Sequence, residues 1–272
     1  MHNPGNRAGL LAGKRIVIMG GTAGLGLSAA RAVLAAGARL VVVGRNAETA
    51  AQVRLELGPD ALVLTADANE PATAAAAVAE CVRAYGGLDG LYHVAGGSGR
   101  RMGDGPLHEI TDAGWDATLQ LNLGSLFYSN RAAARQMLAQ GTGGAVLNMG
   151  SVLGFSPAPG FFTTHAYAAA KSAVIGFTQS CAAYYAPQGI RFNVLAPGLV
   201  DTPMARRAAA DARIQAYIHT KQPLGGGRIG QPGDLDAAVV YFLSDAAAFT
   251  TGQVLAVDGG WSVSEGQIPP HP

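Results

Sequence analysis

The feature that most constrains this chain is an alternation of short apolar runs with longer alanine-rich stretches, sustained from one end to the other. The short runs are residues 15–19, 40–43, 61–65, 90–94, 145–149, 191–196 and 253–257. They are apolar throughout, as strands covered on both faces must be. The stretches between them, near 24–36, 47–57, 72–85, 113–139, 167–186 and 235–243, read as helices. Strand, helix and strand in this order wind into one parallel sheet with right-handed crossovers. The expected class is α/β, a doubly wound parallel sheet of about seven strands with helices on both faces.

Nothing inside the 272 residues reads as a linker, so one unit is expected over 13–262, with an N-terminal extension at 1–12 and a Pro-rich, poorly ordered tail at 263–272. Two segments break the rhythm. Residues 96–106 are rich in Gly and basic residues, and 202–231 form a long insertion expected to act as a lid or substrate loop. Only 14% of residues are charged, against roughly 25% in an average soluble protein. That suggests extensive burial, subunit contacts included. A net charge of +1 leaves no electrostatic footprint for nucleic acid or an anionic membrane. The start lacks the apolar core of a signal peptide, and no uncharged run approaches the ~20 residues of a membrane span. A cytoplasmic protein is expected. Cys81 and Cys181 lie far apart and match no metal spacing, so no metal is expected.

The run Met19-Gly20-Gly21-Thr22-Ala23-Gly24-Leu25-Gly26 leaves the first strand and enters the first helix. Glycine permits a tight turn and lets backbone amides approach a pyrophosphate, which the helix N-terminus then favours. Placed here, Gly20, Gly24 and Gly26 indicate a Rossmann-type dinucleotide site, with Thr22 and Leu25 in the same loop. At the end of the second strand, Val43-Gly44-Arg45-Asn46 offers no carboxylate for a ribose hydroxyl. A guanidinium suits a 2′-phosphate, so Arg45 points to NADP(H), with NAD(H) left open. Asp67, followed by Ala68, ends the third strand and would bond an adenine amino group or cap a helix.

Tyr167 and Lys171 lie four apart in a helical stretch and so share a face. A phenol titrates near pH 10, too high for efficient proton exchange at neutrality. An ammonium at ~4–6 Å, with an effective dielectric of ~20, would favour phenolate by roughly 3–4 kcal/mol, an upper range of about 2–3 pKa units. The expectation is a phenol made acidic by its neighbour.

Taken together, these residues resemble the compact, carbonyl/ketoacyl-reductase-like branch of the short-chain dehydrogenase/reductase family, over about residues 13–262. The family's Thr-Gly-x-x-x-Gly-x-Gly motif is matched with Met19 in the threonine position and all three glycines kept. Its Asn-Asn-Ala-Gly motif corresponds to His93-Val94-Ala95-Gly96, both asparagines replaced, which reads as a structural variation. By resemblance, Asn122 holds a water linking the active-site lysine to solvent, and Ser151 polarises the substrate carbonyl. The resemblance also makes Pro197-Gly198-Leu199-Val200-Asp201-Thr202 the nicotinamide loop, with the Val200 backbone and Thr202 hydroxyl holding the carboxamide. Asp258-Gly259-Gly260 matches a structural C-terminal signature.

The implied activity is hydride transfer between nicotinamide and a ketone or secondary alcohol. Asn122, Ser151, Tyr167 and Lys171 form the catalytic set, with Tyr167 as general acid/base. Ala95, Gly96, Tyr167 and Lys171 join the cofactor contacts. An NAD-dependent alcohol or sugar-alcohol dehydrogenase of the same family is the nearest alternative, and a non-catalytic nucleotide-sensing protein the alternative of another class. Phe155, Phe161, Phe162, His165 and Met204 are expected at the substrate pocket. Arg100 and Arg101 read either as a solvated loop or as contacts for an anionic substrate. The resemblance further implies a homo-oligomer, a tetramer or a dimer.

Overall fold

Aliphatic runs become strands where both of their faces can be covered, and the computed structural model, which describes residues 9–267, pairs seven of them in parallel. They are β1 (Arg15–Met19), β2 (Arg39–Gly44), β3 (Ala61–Thr65), β4 (Gly90–His93), β5 (Gly144–Met149), β6 (Ile190–Pro197) and β7 (Val254–Val257). Their order in the sheet is 3-2-1-4-5-6-7. The crossover helices are α1 (Gly24–Ala35), α2 (Ala47–Leu57), α3 (Pro71–Tyr85), α4 (Asp112–Leu119), α5 (Ser125–Gln140) and α6 (His165–Tyr185).

Side-chain alternation along the strands divides the interior into two layers. Ile16, Ile18, Leu40 and Val42 face one core with Ala29, Ala30 and Val33 of α1. Val17, Val41, Leu91 and Val146 face the other, against Ala77 of α3 and Ala133 and Met137 of α5. Leu11 is fully buried in the first core and its amide bonds Ala36 O at 3.0 Å, so residues 9–12 pack onto the sheet unit. Residues 1–8 of the expected extension and 268–272 of the expected tail lie outside the described residues. The described part of the tail packs on the body: Ser264 O accepts from Lys221 Nζ, and Gln267 N bonds Thr220 Oγ1 at 2.6 Å.

Two segments depart from the sequence reading. The helix expected over 113–139 is interrupted by a π turn, Gln120–Gly124, between α4 and α5. The insertion at 202–231 is not structureless. It folds into α7 (Arg206–Ala210), α8 (Ala212–Lys221) and a single turn, α9 (Leu224–Gly227), before the last helix, α10 (Asp236–Leu243). Asp211 caps α8 by accepting from Arg213 N and Ile214 N, and Ile214, Tyr217, Ile218 and Lys221 recur on its buried face. That spacing is helical and was present in the sequence.

The order reverses at β1, which lies between β2 and β4. Ligands of doubly wound sheets bind in the crevice at that switch point, outside the carboxyl ends of the strands.

Candidate active site

The glycine run after β1 is shaped for close approach. Gly20 has φ +92°, and a side chain there would meet Ala95 N at 2.7 Å. Gly24 has φ +51° and lies against Thr202, which brings the turn after β1 to the loop after β6. Helix α1 starts behind Ala23 with no side-chain cap and no acidic residue in its first turn. Its leading amides are therefore free for an anion. Thr22 is buried against Gly44, Leu25 packs on the first core, and Arg45 stands exposed immediately beyond. Among the described residues Arg45 makes no ion pair. Asp67 spends Oδ1 on Asn69 N at 2.9 Å, closing a local turn, and Ala68 packs on the second core. Backbone groups and bare glycine faces at the switch point thus fit a dinucleotide.

The chemistry-bearing side chains converge on the other bank. Ser151, at the end of β5, is buried and its Oγ accepts from Leu153 N at 3.2 Å, which leaves its own proton to give. Lys171 is only 3% exposed; its Nζ donates to Met149 O at 2.9 Å and lies 5.5 Å from the centre of the Tyr167 ring. Asn122 sits fully buried in the π turn. Its amide donates to Thr118 O and Gly97 O, both at 2.9 Å, and accepts from Gly97 N at 3.1 Å. Ser125 N bonds Gln120 O across the wider turn, and Ser125 Oγ takes the carbonyl of Leu121. Side chains thus satisfy carbonyls near the widened turn, and such turns concentrate at functional sites. A side chain at Gly96 would meet Asn122 Oδ1 at 2.7 Å, so only glycine keeps that floor open.

The electrostatics overturn one expectation. Burial pushes the Tyr167 phenol above its ordinary value, and a hydrogen bond with Ser151 only partly offsets it. Burial likewise pushes Lys171 down to about 8. The expected acidification of the phenol by a neighbouring ammonium is not what this packing gives. An attraction estimated at a uniform dielectric omits the cost of desolvating both charged forms.

The cofactor-side loop after β6 is pinned at several points. Gly198 N bonds Val257 O at 3.3 Å beyond Pro197, buried Val200 forms a bridge with Gly230, and Thr202 faces Gly24. Of the expected pocket residues, Phe161 and Phe162 come together with Val152, Tyr217 and Trp261. Phe161 lies 5.1 Å from Tyr217 and Phe162 5.5 Å from Trp261, ring centre to ring centre. Phe155 and Met204 stand exposed outside that cluster, and His165 opens α6 with an exposed side chain.

Two positioning residues escaped the sequence reading. Asp104, buried in the loop after β4, accepts from Ala166 N and Tyr167 N, each at 3.0 Å, and so caps the helix that carries Tyr167. Gln222, 2% exposed, accepts from Leu199 N at 2.5 Å and donates to Leu199 O at 3.2 Å, clasping both backbone groups of one residue. Neither has a local signal, because each acts across 23 residues or more. His93 keeps the bracing its missing asparagine would give: Nδ1 lies 2.8 Å from Ser129 Oγ and Nε2 3.3 Å from Ser125 Oγ. Burial, with the Lys171 charge added, pushes it down to about 3, so it stays neutral.

Known proteins resemble this chain along nearly its whole length. The profile of the family described as enoyl-(acyl carrier protein) reductase matches residues 20–262. A 2,5-dichloro-2,5-cyclohexadiene-1,4-diol dehydrogenase from Sphingobium indicum is 35% identical over 93% of this chain and 98% of its own. A cis-4-hydroxycyclohexanecarboxylate dehydrogenase from Sinomonas cyclohexanicum is 35% identical over 90% and 95%. Among solved structures, a short-chain type dehydrogenase/reductase from Mycobacterium ulcerans superposes with a TM-score of 0.86 at 31% identity, covering 94% of this chain and 92% of that one. The parallel sheet, the glycine-lined switch point and these matches place the chain in the short-chain dehydrogenase/reductase family, as an NAD(P)-dependent oxidoreductase.

Proposed function

We propose that the protein interconverts a secondary alcohol and its ketone with NADP(H) as the preferred cofactor, and that Asn122, Ser151, Tyr167 and Lys171 carry the chemistry. The observation that supports this most is the convergence of the Ser151 hydroxyl and the Tyr167 phenol beside buried Lys171 at the carboxyl edge of the sheet. A bound nicotinamide would supply hydride chemistry at the substrate carbon. In reduction, Tyr167 gives its proton to the carbonyl oxygen while Ser151 donates a hydrogen bond to the same oxygen. Lys171 and Asn122 hold the polar floor from which that proton is replaced. A phenol kept protonated at neutral pH is suited to this direction. In oxidation the same phenol must accept a proton, so that rate rises as pH rises.

Gly20, Thr22, Gly24, Leu25 and Gly26 would hold the pyrophosphate side, with Asp67 and Ala68 near the adenine. Ala95, Gly96, Tyr167 and Lys171 would hold the nicotinamide ribose, and Pro197, Gly198, Val200 and Thr202 the carboxamide. Exposed Arg45, with no acid at the end of β2, supports the 2′-phosphate. Phe161 and Phe162, beside Tyr217 and Trp261, form an apolar wall that suits a cyclic substrate, the class for which the two relatives described above are named. His165, Phe155 and Met204 stand exposed beside that wall, at the expected substrate side.

The catalytic unit is 13–262, and the assembly is a homotetramer in the cytoplasm. Exposed apolar side chains in two regions support self-complementary contacts: Trp115 and Phe127 by a groove lined by Leu119, Leu123 and Phe177, and Phe249, Leu255 and Val263 on either side of and within β7. No helix among the described residues is long and apolar enough to cross a membrane. A panel of cyclic alcohols and ketones with NADPH and NADH, read by nicotinamide absorbance, tests cofactor and reaction together. Cofactor binding with no turnover on any of them would reverse the reading in favour of a nucleotide sensor.

A further inference from the structure

Three loops leave the carboxyl edge of the sheet and bring arginines to one point. Arg100 lies in the loop after β4, Phe161 in the loop between β5 and α6, and Arg207 and Arg213 in α7 and α8 beyond β6. Arg100 Nη2 and Arg207 Nη2 both donate to Phe161 O, each at 3.4 Å. Two guanidinium nitrogens on one carbonyl oxygen can be no farther apart than the sum of those bonds, so the two cations are held close. The Arg213 guanidinium carbon lies 5.8 Å from the centre of the Phe161 ring, and its buried Nε has no hydrogen-bond partner.

Like charges gathered this way repel unless an anion joins them. Among the described residues, none of the three makes an ion pair. Two carboxylates of the same segments are engaged with backbone amides: Asp104 holds Ala166 N and Tyr167 N, and Asp211 Oδ1 holds Arg213 N and Ile214 N. Burial and the Arg207 charge both push Arg100 below its ordinary value, against a smaller opposing effect of Asp104. The bonds to Phe161 O are long, so the guanidiniums can turn toward a better acceptor.

We infer that Arg100 and Arg207, with Arg213 behind them, form a subsite for an anionic oxygen group on the substrate, a carboxylate in the simplest case. The inference rests on the alcohol–ketone reading above and adds the substrate's charge to it. The placement follows the chain. Asp104, four residues after Arg100, caps the helix at Tyr167, which ties the Arg100 loop to the element that carries the phenol. The apolar part of the substrate would lie on Phe161, Phe162 and Val152, with its hydroxyl toward Ser151 and Tyr167 and its anion toward the guanidiniums. Charge-assisted pairs of this kind discriminate strongly because the neutral analogue leaves them unpaired.

The test compares a cyclohexanol bearing a carboxylate with its methyl ester, on the full chain and on Arg100→Gln and Arg207→Gln. The wild type is expected to favour the carboxylate. Each variant should lose about 10- to 100-fold in kcat/KM on the carboxylate and keep its rate on the ester, which also reports that the variant is folded. Equal rates on both substrates in the wild type, or equal losses on both in the variants, overturn the subsite. A second arm needs no turnover. Unreactive cyclohexanecarboxylate should raise the Tm of the wild type and not that of Arg207→Gln, and the neutral amide should do nothing. Arginine-dependent binding without oxidation of any alcohol upholds the subsite and sinks the proposed reaction. Oxidation of the ester without any effect of charge does the reverse.

Discussion

The wall that carries Tyr167 and the rim that would hold the substrate are built differently, though both stand at the carboxyl edge of one sheet. In the wall, most polar groups are buried and paired, Thr118 Oγ1 being buried without a partner. Asn122 makes three hydrogen bonds, and Lys171 Nζ donates to Met149 O. Behind them, Asn148 bonds both Asn130 and Thr178. In the rim, Met204 and Arg207 are exposed, the arginine bonds to Phe161 O are long, and Gly225, Gly226 and Gly227 all take positive φ. A buried polar network has one good arrangement, because any unpaired member is costly. An exposed segment has many. The wall is thus the closely paired region and the rim the open one.

The sharpest break in this comparison is at the phenol itself. Tyr167→Phe should reduce turnover by about 10²- to 10⁴-fold while cofactor affinity, measured by fluorescence titration, changes little. Near-normal turnover would remove Tyr167 from its role. In the same series, Met204→Ala at the exposed rim should leave kcat on a small cyclic alcohol nearly unchanged.

A smaller effect is expected where rim and wall are stitched together. Gln222→Leu leaves the Leu199 amide without its acceptor, while Leu199 O keeps its bond from Gly230 N at 2.9 Å, and one such loss is worth roughly 1–3 kcal/mol. The expected outcome is about a tenfold rise in cofactor KM with kcat less affected. Gln222→Glu, which keeps an acceptor for Leu199 N, should recover part of it. An unchanged cofactor KM in the leucine variant would show that the loop holds itself.

The mildest effect concerns stability. Lys171 is pushed down to about 8 in the fold from an ordinary value of 10.5. Between those values the unfolded chain holds a proton that the folded chain has lost, so stability rises with pH, by at most about 1.4 kcal/mol per unit. Below pH 8 both states are protonated and the dependence vanishes. Denaturant unfolding of the wild type against Lys171→Met from pH 7 to 10 should show the difference opening only above about pH 8. A flat difference would mean that the ammonium is as well solvated in the fold as outside it.

Much of this is legible in the sequence alone. Apolar runs of strand length separated by alanine-rich stretches leave little choice but a parallel doubly wound sheet, and glycines directly after the first strand mark the crevice. The pair Tyr167 and Lys171 was legible because helical periodicity is local. Asp104 and Gln222 were not, since their partners lie far along the chain and neither belongs to a periodic pattern. The π turn around Asn122 was also hidden, because it needs side chains such as Ser125 to take up carbonyls that an ordinary helix would satisfy itself.

What the sequence determined by itself was periodicity and backbone freedom: which residues alternate, which share a helical face, and where only glycine fits. What tertiary structure alone decided was the surroundings of each polar group. That is why a shift of the Tyr167 phenol expected downward from the lysine's spacing came out upward, through burial. The energy of a charge depends on how much water remains around it, and that is a property of the packed whole.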